Sequence, residues 1–172
     1  MSTLIRDAVS LLASTPVRWA ALAGIAPELL ARGPAPGEWS ARQCLAHVVD
    51  TERSVFRARV LAILTGQNFA AFDPDADGAD TSGVSARDLA GDFVRLRAES
   101  LDTLAGITEA DLVKTAVHAE LGRVTMAELL NQLAAHDTMH LVQAERALMQ
   151  AFIPGSGPWR FYFGDHDVDA KP

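Results

Sequence analysis

Two histidines four residues apart, His136 and His140, interrupt the apolar pattern of the stretch LLNQLAAHDTMHLVQAERAL. The stretch has the repeat of an amphipathic helix, and both histidines share its apolar stripe with Leu129, Leu133, Ala144 and Ala147. Side chains four apart on a helix lie about one turn from each other on one face, so two imidazoles can bind one metal ion. Burying a polar group without a partner costs about 1–3 kcal/mol. The pair is therefore either hydrogen-bonded within the core or bound to a metal.

Gln143 continues the same stripe and adds a third polar group to the inward face. An HExxH metalloprotease motif would require glutamate directly after the first histidine, but Asp137 occupies that position. The aspartate is one methylene shorter, and we expect it to point away from the face that the two histidines share. The pattern disfavours a zinc protease.

Catalytic metal sites commonly have three protein ligands and one open position. His47, in WSARQCLAHVVDTERSVF, is the candidate for the third ligand because it lies seven residues after a Ser40 cap, near the apolar stripe of the second helix. His118 lies in a connecting segment and His166 in the C-terminal tail, and both rank below His47.

Two groups flank His47 on its helix. Asp50, about one turn later, is a candidate to orient a ligand or contact the substrate, as is Gln143 on the fourth helix. The alternative for Asp50 is a solvated acid on the helix surface. Cys44, about one turn earlier, is predicted to be a core residue rather than a ligand. No side chain is an obvious general base.

The elements that must position these residues are predicted to be helices. Ser40 and Thr125 are followed three residues later by Gln43 and Glu128, as in capping boxes, and Ser85 is a further N-cap. Apolar residues recur with helical spacing after each cap. We predict four main helices, roughly 3–24, 40–65, 85–106 and 125–151. Pro16 either kinks the first helix or begins a second helical piece there, and no strand pair is predicted.

These helices predict an all-α, four-helix bundle with a long second connection and an irregular aromatic tail. We expect one domain over 1–151, and a tail over 152–172 that packs on the bundle or on a second subunit. The acidic segment Asp73–Asp80 begins like a calcium loop, but Val84 replaces the glutamate required at position twelve. This segment is therefore interpreted as an acidic loop that could act as a lid. Trp39, just before the second helix, is predicted to be a hydrophobic staple.

The charge balance excludes some functions. The formal net charge is −7, and lysine occurs at Lys114 and Lys171 alone, which argues against binding of nucleic acid or of a membrane surface. No apolar run approaches the roughly 20 residues needed to span a bilayer, and the N-terminus does not resemble a secretory signal. The single cysteine, Cys44, excludes an intrachain disulfide. We expect a cytoplasmic protein.

Two motifs resemble those of a known family. GEWSARQCLAHVVDTERSVF is similar to the second-helix signature of the DinB-like family, and AAHDTMHLVQAERAL is similar to its fourth-helix signature. HAELGRVTMAELL resembles the family's entry into the fourth helix. The resemblance extends from about Leu4 to Leu148.

The resemblance implies an up-down four-helix bundle that is often dimeric. It also implies a divalent metal ion, zinc or nickel, with His47, His136 and His140 as ligands. Members of the family include mycothiol-dependent maleylpyruvate isomerases and bacillithiol transferases. We therefore expect a metal-dependent enzyme acting on a small molecule, either a transferase or isomerase that uses a low-molecular-weight thiol, or a hydrolase. The alternative is a non-enzymatic binding or dimerisation module with a structural metal.

Overall fold

The computed structural model describes residues 2–73 and 81–170. In chain order the α-helices are α1 (Thr3–Leu22), α2 (Pro27–Leu30), α3 (Ala41–Thr51), α4 (Arg57–Thr65), α5 (Ala86–Ala105) and α6 (Met126–Met149). A π-helical turn, Glu52–Phe56, joins α3 to α4 in one long segment. Three 3₁₀ segments follow later, at Glu109–Val113, Ile153–Phe163 and Val168–Ala170. The four predicted helices are confirmed, and their predicted ends differ from the observed ones by at most two residues.

The predicted caps begin these helices. The Ser40 hydroxyl accepts a hydrogen bond from the Gln43 amide, and the Gln43 side chain accepts one from the Ser40 amide. Thr125 begins α6 with the same reciprocal pair of hydrogen bonds, and Ser85 caps α5. These local bonds satisfy amides that no helical carbonyl reaches, so the helix starts can be inferred from short sequence patterns.

The predicted all-α four-helix bundle is confirmed, and the structure refines its order. Helices α5 and α6 both pack against α1 and against α3, so α1 and α3 lie diagonally opposite. Arg53 contacts Asp92, while Arg57, further along the second segment, contacts Thr103, further along α5. The second and third long segments therefore run in the same direction. The long connection between them provides enough chain to return along the length of the bundle.

Pro16 lies inside α1, which continues through it to Leu22. A proline has no amide hydrogen, so the carbonyl four residues earlier, that of Leu12, loses its helical partner. The Leu12 carbonyl accepts hydrogen bonds from the Thr15 hydroxyl at 3.1 Å and from Arg97 Nη1 at 2.9 Å. The alternative of a separate helical piece after Thr15 is wrong.

The prediction of no strand pair is also wrong. Strand β1 (Thr115–His118) pairs antiparallel with β2 (Gly122–Thr125), directly before α6. A three-residue loop joins the strands, and Gly122 has a φ of 75°, a left-handed conformation that glycine adopts without steric cost. Phe69 bonds to the outer side of β1 through the Val117 carbonyl and the Ala119 amide. The strands are too short to produce a clear alternation of apolar and polar residues.

The core consists of two apolar clusters. One contains Trp19, Cys44, Leu45, Val48, Val49, Leu89, Phe93 and Leu141, and the other contains Ile5, Leu12, Phe56, Val60, Leu130 and Leu133. Along each long helix the residues between the two clusters are polar: Thr15, Glu52, Arg97, Ser100, Asp137 and His140 are all buried. A polar layer therefore crosses the middle of the bundle.

Arg97 is the centre of this polar layer. Its guanidinium donates to Glu52 at 2.6 Å and to Asp137 at 2.8 Å, and all three side chains are at most 2% exposed. Thr15 donates to the Asp137 carboxylate, and Ser100 donates to that of Glu52. Each long helical segment thus contributes at least one residue to a single charged cluster. No local sequence pattern predicts this cluster.

The tail joins the bundle through polar contacts. Gln150 Nε2 donates to the His166 carbonyl at 3.0 Å, and Arg160 pairs with the buried Asp167. Three aromatic residues of the tail are well exposed in the single chain: Trp159, Phe161 and Tyr162 are 67%, 86% and 77% exposed. The predicted boundary between the domain and the tail stays a prediction.

Most of the acidic segment Asp73–Asp80 lies outside the described residues, so its interpretation as a loop or lid is untested. Among the helices that the structure describes, none is long and apolar enough to cross a membrane.

Candidate metal centre

Three histidines meet at the edge of the polar layer. His47 comes from α3, and His136 and His140 come from α6, so the structure brings together the ligand set that the sequence predicted. Each offers a ring nitrogen, and these nitrogens all lie within 4.8 Å of one another. His140 is buried, while the other two are partly buried. Two helices that pack side by side thus bring the three ring nitrogens together.

The spacing of the three rings fits a single metal ion. His136 Nε2 lies 3.2 Å from His47 Nε2 and 3.2 Å from His140 Nε2. With metal–nitrogen bonds of about 2.1 Å, two ligand nitrogens stand roughly 3.0 Å apart in octahedral and 3.4 Å apart in tetrahedral geometry. These two separations lie between the two values, and all three ligand nitrogens lie within 4.8 Å of one another.

The hydrogen bond between Gln143 and His140 favours the same arrangement. The Gln143 side-chain oxygen lies 2.9 Å from His140 Nδ1 and accepts the proton on that nitrogen. A neutral His140 then has no proton on Nε2, and its lone pair faces the other two rings. Metal-bound histidines usually donate their second ring nitrogen in this way. Gln143, predicted from its place on the stripe, therefore lies where an outer partner of a ligand would be.

Burial keeps these imidazoles neutral. The pKa of His47 is lowered to about 4, first by desolvation and then by repulsion from His140. The pKa of His136 is lowered to about 3, mainly by desolvation, with repulsion from His140, His47, Arg59 and Arg97 adding to it. Desolvation also lowers the pKa of His140, against the raising effect of Gln143 and Asp137. Neutral imidazoles are the form that binds metal, so no proton must leave them at pH 7.

Aromatic rings surround the three histidines. Trp39 stacks on His140 with ring centres 5.9 Å apart and tilts against His47 at 4.9 Å. Phe56 meets the ring of His136 edge-on at 5.2 Å. These contacts hold the imidazoles in place and keep water from their sides. Trp39 also packs against the cluster of Cys44 and Leu45, as a staple would, but its contact with the histidines was not foreseen.

The two residues that flank His47 on its helix, Asp50 and Cys44, are both buried but differ in their contacts. Asp50 is 7% exposed and accepts a hydrogen bond from Arg53 Nη1 at 3.0 Å, so the alternative of a solvated surface acid is wrong. Cys44 is fully buried, and burial raises the pKa of its thiol to about 12. The thiol is thus kept protonated among apolar neighbours, as expected of a core cysteine.

The two remaining histidines lie outside the centre. His118 Nδ1 accepts hydrogen bonds from the amides of Glu120 and Leu121 in the hairpin loop. His166 contacts the bundle through its backbone carbonyl. Both were ranked below His47, and among the described residues neither joins the group of converging nitrogens.

Replacing Gln143 with leucine is expected to weaken metal binding about 10- to 100-fold, the usual effect of losing an outer partner of a metal-bound histidine. The leucine removes the acceptor for His140 Nδ1, so the ring loses its fixed orientation and proton position. Competition with a chromophoric chelator measures the affinity. Asn131→Leu on the exposed side of α6, where the amide bonds the Ala127 carbonyl, is the matched control. Equal affinity of both variants and the parent protein would contradict this role.

Comparisons with known proteins identify the family of this chain and a solved structure with a similar fold. A sequence model described as the DinB superfamily matches residues 13–144. A comparison with curated protein sequences finds no match. Among solved structures, the chain is similar to YfiT from Bacillus subtilis, described as a probable metal-dependent hydrolase with an unusual four-helix bundle topology. The TM-score is 0.77 at 16% identity, over 88% of this chain and 89% of YfiT; at this identity the likeness shows the fold alone.

Proposed function

This chain belongs to the DinB superfamily, and on that premise we propose that it is a metal-dependent enzyme acting on a small molecule. His47, His136 and His140 are its metal ligands. The observation that carries the proposal is the convergence of three Nε2 atoms, 3.2 Å apart in two of the pairs, in neutral imidazoles. Asp50 and Gln143 are outer groups that orient ligands or contact the substrate.

The donor set explains what such a centre can do. Three neutral imidazoles leave a divalent ion its full charge and open positions, where it lowers the pKa of a coordinated water or thiol. The chain itself supplies no thiol for this purpose, because Cys44 is fully buried and protonated. The nucleophile therefore comes from water or from a low-molecular-weight thiol. Trp39 and Phe56 exclude solvent from the ligand rings and keep them oriented.

Of the two reactions, we favour hydrolysis. The described function of YfiT, with which this chain shares its fold, is that of a probable metal-dependent hydrolase. The second candidate is an S-transferase or isomerase that uses a low-molecular-weight thiol as co-substrate. One observation favours this candidate. Among the described residues, the converging group contains no carboxylate that could act as a base toward water.

Activity of metal-free and reconstituted protein separates these reactions. We expect turnover of activated ester or amide substrates after addition of Zn²⁺ or Ni²⁺, and none in the variant with all three histidines replaced by alanine. A chlorinated aromatic electrophile, offered with and without an added thiol, tests the transferase branch. If untagged parent protein and the triple variant contain equal amounts of metal, the proposal is wrong.

The alternative is a non-enzymatic binding or dimerisation module whose metal is structural. It requires a fourth protein ligand, since structural zinc sites are closed by four side chains. Spectroscopy of the Co²⁺-substituted protein distinguishes the two. Exchangeable solvent ligands support the enzyme, whereas a closed sphere and a large fall in melting temperature on metal removal support the module.

We further propose that zinc or nickel is the bound ion, that the protein is cytoplasmic and that it forms a homodimer. Imidazole ligands suit both ions. Exposed Trp159, Phe161 and Tyr162 form an aromatic surface that a second subunit would cover. Sedimentation of the full chain tests the dimer, and a monomer at micromolar concentration would exclude it.

A further inference from the structure

A cavity of about 190 Å³ lies between α4, α6 and the β-hairpin. Its walls are partly apolar, with Phe69, Leu121, Val124 and Leu129 among them. Gln132 also lines it, one helical turn before His136 on α6, which corresponds to a rise of about 6 Å. A small molecule that contacts Gln132 in this cavity would thus lie about one helical turn from His136.

Arg59 gives the cavity a positive charge. It lies about one helical turn after Phe56, whose ring packs on His136. The positive charge of Arg59 contributes to the lowered pKa of His136. Its guanidinium contacts the Ala70 carbonyl at 3.4 Å and stands over the Phe69 ring at 5.3 Å. Within the described part of the chain no carboxylate forms an ion pair with it. Burial lowers the pKa of Arg59.

Among the described residues that line the cavity, one carries a carboxylate, and this group is already hydrogen-bonded elsewhere. Glu128 accepts hydrogen bonds from the Thr125 amide at 2.7 Å and from the Thr125 hydroxyl at 2.8 Å, as part of the cap of α6. These bonds lower the pKa of Glu128 and hold its charge at the helix start. A partly desolvated guanidinium with no acidic partner is costly to maintain, so its charge is available for a ligand.

His118 supplies a second donor to the same cavity. Its Nδ1 accepts two backbone hydrogen bonds, from Glu120 and Leu121, at 3.2 and 3.3 Å. A neutral imidazole with an accepting Nδ1 has its proton on Nε2. The lining residues thus include a cationic fork and a neutral N–H donor, together with apolar walls.

We propose that this cavity binds the carboxylate of a compact apolar or aromatic acid through Arg59, with the His118 Nε2–H as a second donor. The guanidinium fork matches the two oxygens of a carboxylate. Pockets for drug-sized ligands have volumes of about 300–1,000 Å³. This cavity is smaller, so the acid has few atoms. The identification of this acid as the substrate rests on the proposed function; the binding site itself does not.

Benzoate binding to the full chain, followed by ¹H–¹⁵N NMR, tests the site, with benzamide as the uncharged counterpart. We expect benzoate to shift the amides of Leu121 and Val124, and benzamide to bind at least tenfold more weakly. Arg59→Met keeps the apolar stem and is expected to weaken benzoate binding about 10- to 100-fold. Arg59→Lys retains the charge without the fork and should lie between. Arg57→Met, at an exposed arginine paired with Glu99, is the matched control and should bind as the parent does.

The variant with three alanines in place of His47, His136 and His140 separates this site from the metal centre. We expect it to bind benzoate as the parent protein does, because Arg59 and the cavity walls remain. The inference would be overturned if folded Arg59→Met bound benzoate as the parent protein does. It would also be overturned if only the triple histidine variant lost benzoate binding. Failure of the proposed function would appear separately, as the absence of metal from the parent protein. Arg59→Met is expected to contain as much metal as the parent protein does.

Discussion

His136→Ala is expected to lower the affinity for Zn²⁺ or Ni²⁺ by a factor on the order of 10² to 10³. Four-ligand structural zinc sites bind with about 10–16 kcal/mol, or about 2.5–4 kcal/mol per ligand. His136 Nε2 is the atom that lies 3.2 Å from both of the other ligand nitrogens. Its removal leaves two imidazoles and solvent to hold the ion. Metal content after gel filtration and chelator competition measure the loss.

The control for this substitution is His166→Ala. His166 contacts the bundle through its backbone carbonyl, so alanine leaves that contact in place, and metal affinity should equal that of the parent protein. The metal-free His136→Ala protein should remain folded, because His136 Nδ1 is a buried atom with no hydrogen-bond partner among the described residues. Parent-like metal affinity in a folded His136→Ala protein would show that the ion, if bound, is held elsewhere.

Arg97→Met is expected to lower the free energy of unfolding by about 3–5 kcal/mol, the usual cost of removing one partner from a buried ion pair. The substitution leaves Glu52 and Asp137 as buried carboxylates without a cation, and both are at most 2% exposed. It also removes a donor from the Leu12 carbonyl, which Pro16 deprives of its helical partner. Urea unfolding followed by circular dichroism, at fixed metal concentration, measures the difference.

Arg95→Met, two residues earlier on the same helix, is the matched control. Arg95 is 58% exposed and pairs with Asp92 and Glu99 at the surface, where such pairs contribute about 0–1 kcal/mol. Addition of Glu52→Gln and Asp137→Asn to Arg97→Met should recover part of the lost stability, because the uncompensated charges are then gone. A loss below about 1 kcal/mol, or no recovery in the triple variant, would indicate that Arg97 acts through packing alone.

The local features of the fold could be predicted from the sequence because their causes are local. The capping boxes at Ser40 and Thr125 join atoms three residues apart, and the apolar repeat of α6 follows from 3.6 residues per turn. The same repeat placed His136 and His140 on one inward face. His47 could be added from its place after the Ser40 cap, and the family resemblance joined the three. Their action as metal ligands is still a proposal.

The β-hairpin has a weak signal in the sequence, in the spacing of its loop and its glycine. The loop between His118 and Gly122 has three residues followed by a glycine, as in hairpins with a left-handed residue at the end of the turn. With four residues in each strand, side-chain alternation is too brief to distinguish a strand from an irregular connection.

Tertiary structure alone decided which charged groups are buried and what they contact. Nothing near Glu52, Arg97 or Asp137 in the sequence distinguishes these residues from solvated ones, since their partners lie 40 or more positions away. The same holds for the Trp39 ring against His140 and for Arg59 beside the cavity. Sequence periodicity determines which face of a helix turns inward. Which faces then meet depends on the order and direction of the helices, and that order is set by the packing of the whole chain.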